Sequence, residues 1–436
     1  MFETIKKNHF LKNIAIFFSG SLIALVAAVS VQFFIPKILS VEDYGLYKSF
    51  TLYLSYTSLL HFGLKDGIYI ALCTQEAFIK QENIKYFSTL ITQQFIVLIL
   101  MLSGAFFFET PLKIILICLS ITSFFFIINT YYDSLFQSQK KFKTVSFLKI
   151  FKETSFLILV VLVYFLFDKP SINIILGCFL LSIITSYFVY TYVSRKWIGL
   201  KTIGASDIEF IKPTYYRGIK LLAGNFGNQV NTNIDKLFIN FFYSIELFAY
   251  YSFGGMFFVL TNTFVSSVST VLLPYLFKDY NQDLDNKHRQ LMKVTTMFSP
   301  VLFFYLIVVF YFVEYFYQNY IESITIIALF YVAMVYNIKI NIVQNNYLKT
   351  LNLDKEYVRN NYIVLFGYIL IMTMLYLLKM EIVYFAICTS MMMYFRFRLN
   401  LRCINSRLKI NKNYFLDDFL IFILGILVFL YAKYVL

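Results

Sequence analysis

The chain has 436 residues and a formal net charge of +14; 59% of the residues are apolar and only 14% are charged. Soluble proteins carry roughly a quarter charged residues, so this composition excludes an ordinary soluble domain. The apolar residues form blocks of about 20, the length of a membrane-spanning helix, and they lack the alternation of an outer-membrane barrel. The sequence therefore predicts an all-α, polytopic helical membrane protein.

Thirteen apolar blocks follow one another, and each is predicted to form a helix. The first block is too long for the apolar core of a signal peptide, about 7–15 residues, and is interpreted as a retained helix. The predicted limits are 14–35, 44–71, 84–108, 112–138, 144–167, 172–193, 215–242, 247–276, 290–313, 322–350, 357–379, 381–401 and 415–435.

The first helix, its short polar elbow and the second helix recur later in the chain. A shift of 204 positions superposes the pairs Ser40/Ser244, Glu42/Glu246 and Tyr47/Tyr251. Internal duplication of this kind is typical of transporters. We therefore expect two pseudo-symmetric six-helix lobes around a central cavity, with an extra C-terminal helix.

The longest polar connection, Tyr192 to Tyr216, is the natural joint between the two lobes. It predicts an N-terminal lobe at 1–200, a C-terminal lobe at 201–403, and a final segment at 404–436 with a basic loop and the thirteenth helix. Because this helix has no counterpart in the first lobe, it is interpreted as an appendage.

Lys and Arg are unevenly distributed between the predicted loops. With the N-terminus in the cytoplasm, most of them, including Lys149, Lys152, Arg396 and Arg398, fall in cytoplasmic segments. The external segments hold only Lys37, Lys113, Lys169, Lys379 and Lys433. Since this alternation satisfies the positive-inside rule, the positive charge indicates topology and not nucleic-acid binding.

Several charged residues fall within predicted helices, although a charge at the bilayer centre costs about 2.5–3.5 kcal/mol. Such residues usually face a bundle interior or a wet cavity; those near the inner helix ends could instead only extend to the membrane surface. The candidate substrate-binding cations are Lys48, Lys65, Lys149, Lys152, Lys236 and Lys339. The candidate ion-coupling carboxylates are Asp66, Asp133, Glu153 and Asp235.

Amide side chains recur at helical spacing beside these charges. We expect their faces to line the central cavity, although Asn and Gln can also serve only to hold helices together. The amides proposed for substrate binding are Asn129, Gln137, Asn228, Asn231, Asn337, Asn341 and Gln344.

The sequence contains no motif that indicates an enzyme or a cofactor. Hydrolase, zinc-protease and Gly-rich phosphate-loop motifs are absent, and the five cysteines form no C-x-x-C pair. We therefore expect no catalytic site, no cofactor and no metal, and transport driven by an ion gradient or by substrate supply. The cysteines are Cys73, Cys118, Cys178, Cys388 and Cys403.

Several motifs resemble the Wzx-type polysaccharide flippases of the multidrug/oligosaccharidyl-lipid/polysaccharide exporter superfamily. The resemblance covers about the first 275 residues. It rests on Pro36-x-x-Leu39-Ser40-x-Glu42-Asp43-Tyr44-Gly45-x-Tyr47, Phe62-Gly63-Leu64-x-Asp66-Gly67 and Asn231-x-Asn233-Ile234-Asp235-Lys236-x-x-Ile239.

The resemblance implies movement of a polyprenyl-pyrophosphate-linked oligosaccharide, such as an O-antigen (lipopolysaccharide) or capsule repeat unit, across the bacterial inner membrane by alternating access. Lysines would bind the pyrophosphate, and amides would bind sugar hydroxyls. The implied partners are this lipid-linked sugar, membrane lipids, and possible polysaccharide polymerase and chain-length proteins.

Within the resembled family, a teichoic-acid or peptidoglycan-precursor flippase remains an alternative, and three further alternatives are compared with the sequence. A glycan polymerase or ligase would carry a large external loop with catalytic Arg or His. A drug exporter of the same fold would share the cavity but take an apolar or cationic substrate. A major-facilitator transporter would carry a basic signature in the loop Cys73 to Gln81, where this sequence has none.

Overall fold

The structure is a computed structural model that describes residues 2–74, 80–278, 284–410 and 414–434. These residues form helices and short connections, with no strand among them. The helices are α1 (Phe2–Ile38), α2 (Val41–Thr57), α3 (Leu64–Thr74), α4 (Lys80–Ala105), α5 (Leu112–Ser138), α6 (Phe142–Leu166), α7 (Ile172–Ser194), α8 (Ala205–Phe242), α9 (Ile245–Lys278), α10 (Leu284–Phe316), α11 (Ser323–Ile338), α12 (Asn345–Thr350), α13 (Asp354–Leu377), α14 (Ile382–Leu408) and α15 (Phe415–Tyr434).

Nine helical segments within the described residues are long and apolar enough to cross a membrane. One of them, Ser323–Thr350, consists of α11, a π-helical turn at Lys339–Gln344 and α12. Its residues are mostly buried inside the protein. The chain is therefore a multi-pass membrane protein, as its hydropathy predicts.

The second predicted helix, 44–71, is wrong as a single element because a turn at 58–63 separates α2 from α3. Phe62 and Gly63 have φ angles of 47° and 87°, in the left-handed region that ends a helix. The other predicted helices occur near their predicted positions.

Glycines allow the backbones of α3 and the first part of α8 to pack in direct contact. A Cβ added to Gly218 would collide with the carbonyl group of Gly63, and one added to Gly67 would collide with the carbonyl of Thr214. Small residues four positions apart allow this close approach between membrane helices. The Phe-Gly-Leu motif therefore serves packing as well as the turn.

The predicted joint at Tyr192 to Tyr216 is not a free linker. Its middle packs on α4, where the Lys201 backbone N–H donates to Ser88 Oγ at 3.0 Å and Asn83 donates to the Trp197 carbonyl. Its last part is helical, because α8 begins at Ala205, ten residues before the predicted start.

Asp207 stabilises the beginning of α8. Its carboxylate accepts the Gly204 N–H at 3.1 Å and lies 3.0 Å from Lys201 Nζ and 3.5 Å from Lys85 Nζ. The backbone hydrogen bond and these cations hold the pKa of Asp207 below its usual value. An acidic group in the first turn is also favoured by the helix dipole.

The described chain forms two compact units, with their boundary between Phe226 and Gly227 inside α8. In the first unit, α1 packs against α6, and α5 packs between α4 and α7. In the second unit, α9, α10, α14 and α15 surround α11, which is apolar on all sides as a central helix must be. The domain limits derived from the sequence stay a prediction.

The two elbows share the same construction. At the shift of 204 positions, the ends of α1 and α8 coincide, and so do the starts of α2 and α9. Ser40 Oγ accepts the Asp43 N–H at 3.1 Å, and Ser244 Oγ accepts the Leu247 N–H at 3.3 Å. A serine that bonds the third residue of the following helix is an N-cap. The duplication inferred from sequence is therefore visible in the backbone and in its capping.

Helix α15 is not an appendage. It packs along α10 and α11, and a Cβ added to Gly425 would lie 2.8 Å from a methyl group of Val332. Tyr431 also shares a hydrogen bond of 2.6 Å with Tyr311 of α10. The sequence interpretation was wrong because it compared this helix only with the first lobe.

We expect Gly218→Val to destabilise the first unit because its side chain meets backbone that has no room to move. Overpacking costs about 1–3 kcal/mol, so the Tm of the purified protein should fall by several degrees. Gly177→Val, where an added Cβ meets nothing within 4 Å, is the matched control. Equal Tm values for the two variants would contradict the close helix crossing.

Candidate functional site

Lys65 and Asp66 form an ion pair in the first turn of α3. Lys65 Nζ lies 3.1 Å from Asp66 Oδ1, and both side chains are about one-fifth exposed. His61 supports the pair from the preceding turn, with Nε2 at 3.9 Å from the same oxygen. The Gly63 N–H donates to His61 Nδ1 at 3.0 Å, so the imidazole carries its proton on Nε2, towards the carboxylate.

Asp133 of α5 brings three predicted lysines together. Its Oδ1 accepts a hydrogen bond of 3.0 Å from the Tyr190 hydroxyl of α7. The charges that act on it belong to Lys149 and Lys152 of α6 and Lys65 of α3. Cations from two helices, α3 and α6, thus act on one carboxylate of α5.

A second ion pair lies on α6, where Lys152 Nζ is 3.0 Å from Glu153 Oε1. Their side chains are 27% and 28% exposed, so both are accessible at the surface of the protein although they are paired. Below, "the unit 1 charge cluster" denotes Lys65, Asp66, Asp133, Lys149, Lys152 and Glu153. Six of the charges proposed from sequence therefore share one region of the first unit.

The other candidates of the first unit have more local surroundings. Lys48 of α2 is half-buried, with Nζ 5.2 Å from the centroid of the Tyr44 ring. Asn129 is buried and donates to the Ile183 carbonyl of α7 at 3.4 Å, which joins two helices. Gln137 is half-buried, two turns beyond Asn129.

Asp235 is the centre of a hydroxyl-lined site in the second unit. Its Oδ2 accepts from the Tyr251 hydroxyl of α9 at 2.7 Å and from Thr389 Oγ1 of α14 at 3.2 Å. The carboxylate is 5% exposed, and its Oδ1 accepts the Lys236 backbone N–H at 2.8 Å. A carboxylate with two hydroxyl oxygens is a donor set suited to a proton or a hard cation.

The other residues proposed on α8 differ in their surroundings. The ammonium end of Lys236 lies beside Gly255 of α9, where an added Cβ would be 3.4 Å from Lys236 Cε. Asn231 donates to the Asn361 carbonyl of α13 at 2.9 Å. The side chain of Asn228 lies outside the described residues.

The amide stripe that begins on α11 at Asn337 and continues through the π-helical turn is a hydrogen-bonded ladder. Asn337 and Asn341 both donate to Asn262 Oδ1 of α9, at 3.0 and 3.2 Å, and Asn341 also donates to Asn337 at 2.7 Å. Gln344 donates to the Phe397 carbonyl of α14 at 2.8 Å. These contacts join helices, and a role of the same amides in substrate binding stays a prediction.

Lys339 lies at the start of the π-helical turn and is completely buried. Its Nζ has no hydrogen-bond partner in the described part of the chain and lies 5.5 and 5.8 Å from the ring centroids of Phe397 and Tyr336. The charge of Asp418 on α15 acts on it. The π-helical geometry often marks functional positions.

Asp418 also pairs with Arg398, with 3.3 Å between Oδ2 and Nη1, and accepts from the Tyr336 hydroxyl at 2.8 Å. It therefore joins α11, α14 and α15. Asp418 was not among the candidates predicted from sequence, although an acidic residue at the start of an apolar helix was a usable signal. Arg396 and Arg398, which the charge pattern assigns to a cytoplasmic segment, lie on α14, within the predicted helix 381–401.

The described residues contain no group of three His, Cys, Asp or Glu side chains that is able to hold a metal ion. The five cysteines are all free.

Comparison with protein families identifies residues 10–280 as matching the model described as polysaccharide biosynthesis protein. This match spans more than half of the chain. The chain belongs to the polysaccharide biosynthesis protein family. No curated protein sequence gave a match.

Solved structures place this family member within a wider fold group. The structure of the lipid II flippase MurJ in its inward closed conformation is similar to this chain, with a TM-score of 0.71 and 16% sequence identity. The match covers 96% of this chain and 98% of the MurJ chain. An inward-facing multidrug resistance MATE family transporter has a TM-score of 0.59 at 11% identity, over 89% and 96%. At these identities the similarity shows the fold, which is the fold expected from the resemblance of the sequence motifs.

We expect Asp418→Asn to destabilise the family member by roughly 2–3 kcal/mol, between the values for exposed and buried ion pairs. The change removes the counter-charge of Arg398 and Lys339, while Tyr336 keeps an acceptor. The measurement is the Tm of the purified protein in detergent. Asp417→Asn, at the neighbouring position, should have a clearly smaller effect, and the reverse order would contradict the role of Asp418.

Proposed function

We propose that this protein is a flippase that moves a polyprenyl-pyrophosphate-linked oligosaccharide repeat unit across the bacterial inner membrane by alternating access, coupled to an ion. The family match supports a role in polysaccharide biosynthesis. The observation that carries the substrate class is the unit 1 charge cluster, because a pyrophosphate needs cations within an apolar setting.

The cluster suits an anion that must bind and then leave. Lys65 and Lys152 are held by carboxylates of their own helices, at 3.1 and 3.0 Å. A pyrophosphate that approaches these partly exposed lysines competes with Asp66 and Glu153 for them. The free energy of pyrophosphate binding is therefore reduced by the free energy lost when these ion pairs break. This keeps the affinity moderate and permits release.

The same competition provides a route to ion coupling. A carboxylate that loses its lysine to the pyrophosphate is left in a poorly solvated position and gains affinity for a proton or a cation. Asp133, with cations on two helices around it, is the most central candidate. Substrate binding and proton uptake are thereby linked within one unit.

Asp235 is the candidate for ion coupling in the second unit. Its two hydroxyl donors come from α9 and α14, so the protonation or cation occupancy of one carboxylate affects the packing of three helices. Such a group biases a two-state transporter only if the ion binds one state more tightly than the other.

The charge cluster also distinguishes the alternatives. A drug exporter of the same fold that takes organic cations would have no use for three lysines, Lys65, Lys149 and Lys152, placed beside the carboxylates that could bind its substrate. A polymerase would need a large external loop, whereas the connections 106–111, 167–171 and 378–381 are short. The oligosaccharide is therefore the favoured cargo. The proposed partners are membrane lipids and polysaccharide polymerase and chain-length proteins, and the N-terminus is proposed to be cytoplasmic.

We expect Lys152→Gln to slow export of the lipid-linked repeat unit by about 10- to 100-fold, the equivalent of one charge-assisted hydrogen bond of about 1.5–3 kcal/mol. The measurement is complementation of a deletion strain, with lipid-linked sugar quantified on each membrane face. Repeat units should accumulate on the cytoplasmic face. Single units on the outer face would instead indicate a polymerase or ligase.

Two further variants separate substrate binding from local charge balance. Lys143→Gln removes an exposed lysine from the same helix and should leave export unchanged. Lys152→Gln combined with Glu153→Gln restores neutrality without restoring the cation, so export should stay slow. Recovery in the double variant would show that Lys152 only neutralises Glu153, and would contradict the proposal.

We expect Asp235→Asn to uncouple transport from its driving ion, because the amide keeps the shape but loses the charge. In proteoliposomes with a fluorescent polyprenyl-pyrophosphate glycan, the wild-type rate should rise under an imposed proton or sodium gradient and the variant rate should not. Glu246→Gln, exposed at the start of α9, is the control. An unchanged gradient response in Asp235→Asn would exclude this site from coupling.

A further inference from the structure

Arg396 is a buried cation that the transport proposal does not use. It lies on α14 with 6% of its surface exposed, and its guanidinium hydrogen-bonds the Tyr357 hydroxyl of α13. None of the ion pairs in the described part of the chain includes it. Because a guanidinium stays protonated in proteins, this positive charge is retained in the interior of the second unit.

The unpaired donors of Arg396 form a defined binding edge. Its Nε and Nη2 are both buried and have no hydrogen-bond partner among the described residues. These two nitrogens constitute the side edge of the guanidinium, whose parallel N–H groups match two oxygens of one phosphate or carboxylate. Leaving such donors unsatisfied in a protein interior is costly.

Asn400 supplies a third donor on the same face of α14, one turn after Arg396. Its Oδ1 accepts from Asn360 Nδ2 of α13 at 3.1 Å, which fixes the orientation of the amide. Its Nδ2 is then the unpaired group, buried and without a partner in the part of the chain that the structure describes. Asn400 and Asn360 are 0% and 1% exposed.

A buried carboxylate of the second unit, Asp235, is already engaged. The charges of Asp235 and Arg396 both act on Tyr368 of α13. Asp235 accepts from Tyr251 and Thr389 instead. Within the part of the chain that the structure describes, the Nε and Nη2 donors of Arg396 thus have no acceptor.

We propose that the interface of α13 and α14 contains a binding site for a small oxyanion of the phosphate type, held by the Nε–Nη2 edge of Arg396 and by Asn400. Inorganic phosphate and the phosphate of a lipid headgroup share this chemistry. The site is independent of the proposed flippase activity, because it uses none of the residues in the unit 1 charge cluster.

The test is equilibrium dialysis of the purified full chain, in a non-ionic detergent, against radiolabelled inorganic phosphate. Saturable binding of about one phosphate per chain is expected for the wild type. Arg396→Gln should weaken it by at least about tenfold, and so should Arg396→Lys, which keeps the charge but lacks the edge. Arg402→Gln, the same change at an exposed position of α14, should bind as the wild type does.

Asn400→Asp separates loss of the site from loss of folding. It keeps an acceptor for Asn360 and places a carboxylate beside Arg396, so it should bind no phosphate yet melt at or above the Tm of the wild type. A lower Tm together with retained phosphate binding would overturn the assignment. So would a folded wild type without saturable binding, or equal binding by Arg396→Gln and Arg402→Gln.

The source of the oxyanion is resolved by repeating the dialysis in nanodiscs of neutral lipid and of lipid that contains phosphatidylglycerol. Competition by the anionic lipid, together with its co-purification with the wild type but not with Arg396→Gln, identifies a headgroup. Equal phosphate binding in both nanodiscs identifies the free ion. Failure of the oxyanion site in these measurements would leave the export assays on Lys152 unaffected.

Discussion

Three carboxylates in this interior depend on a tyrosine hydroxyl donated by another helix. Asp133 and Asp418 lie on helices apolar enough to cross a membrane, and Asp235 is 5% exposed, so an unsolvated charge at any of them is costly. Each accepts a tyrosine hydroxyl from another helix, at 3.0, 2.7 and 2.8 Å. A tyrosine presents an apolar ring to the core and a hydroxyl at its tip, so it solvates the carboxylate without bringing water into the helix bundle. The high tyrosine content, 36 residues, is therefore consistent with a polar interior that is assembled from apolar helices.

This arrangement makes each carboxylate a joint between helices. Asp235 connects α8 with α9 and α14, and Asp418 connects α15 with α11 and α14. A change in the charge of such a residue alters the packing of several helices at once. Ion coupling in a transporter requires that property, because the bound ion must favour one arrangement of helices over another.

Hydropathy and charge patterning predicted the helices, the membrane class and the duplicated elbow, because these depend on local composition and on turn chemistry. The break at Phe62 and Gly63 was missed because its cause is distant in sequence. Those residues turn where the backbone of Gly218 packs against them. The start of α8 was missed for a similar reason, since Asp207 is stabilised by Lys85 from another helix.

The sequence predicted which residue types form the candidate site, but not which side chains contact one another. Charges within predicted helices singled out Lys65, Asp133 and Lys152 as residue types, and the structure adds that the charges of Lys65 and Lys152 act on Asp133. The amides of α11 and of its π-helical turn gave the same signal, yet Asn337 and Asn341 bond to Asn262 of α9. A single sequence does not show whether a polar side chain meets another helix or a ligand, since both require the same chemistry on the same face.

Exposure distinguishes the two kinds of charge inside this protein. Lys152 and Glu153 are paired but more than one-quarter exposed, so a ligand is able to exchange with either partner at modest desolvation cost. Lys339 is wholly buried against aromatic rings, and displacing its surroundings would expose the core of the second unit. Partly exposed ion pairs that are open to exchange therefore lie in the first unit, whereas the buried side chains of Lys339 and Asp418 lie among the helices of the second. The two elbows share their backbone and capping, yet the charges that follow them have different surroundings.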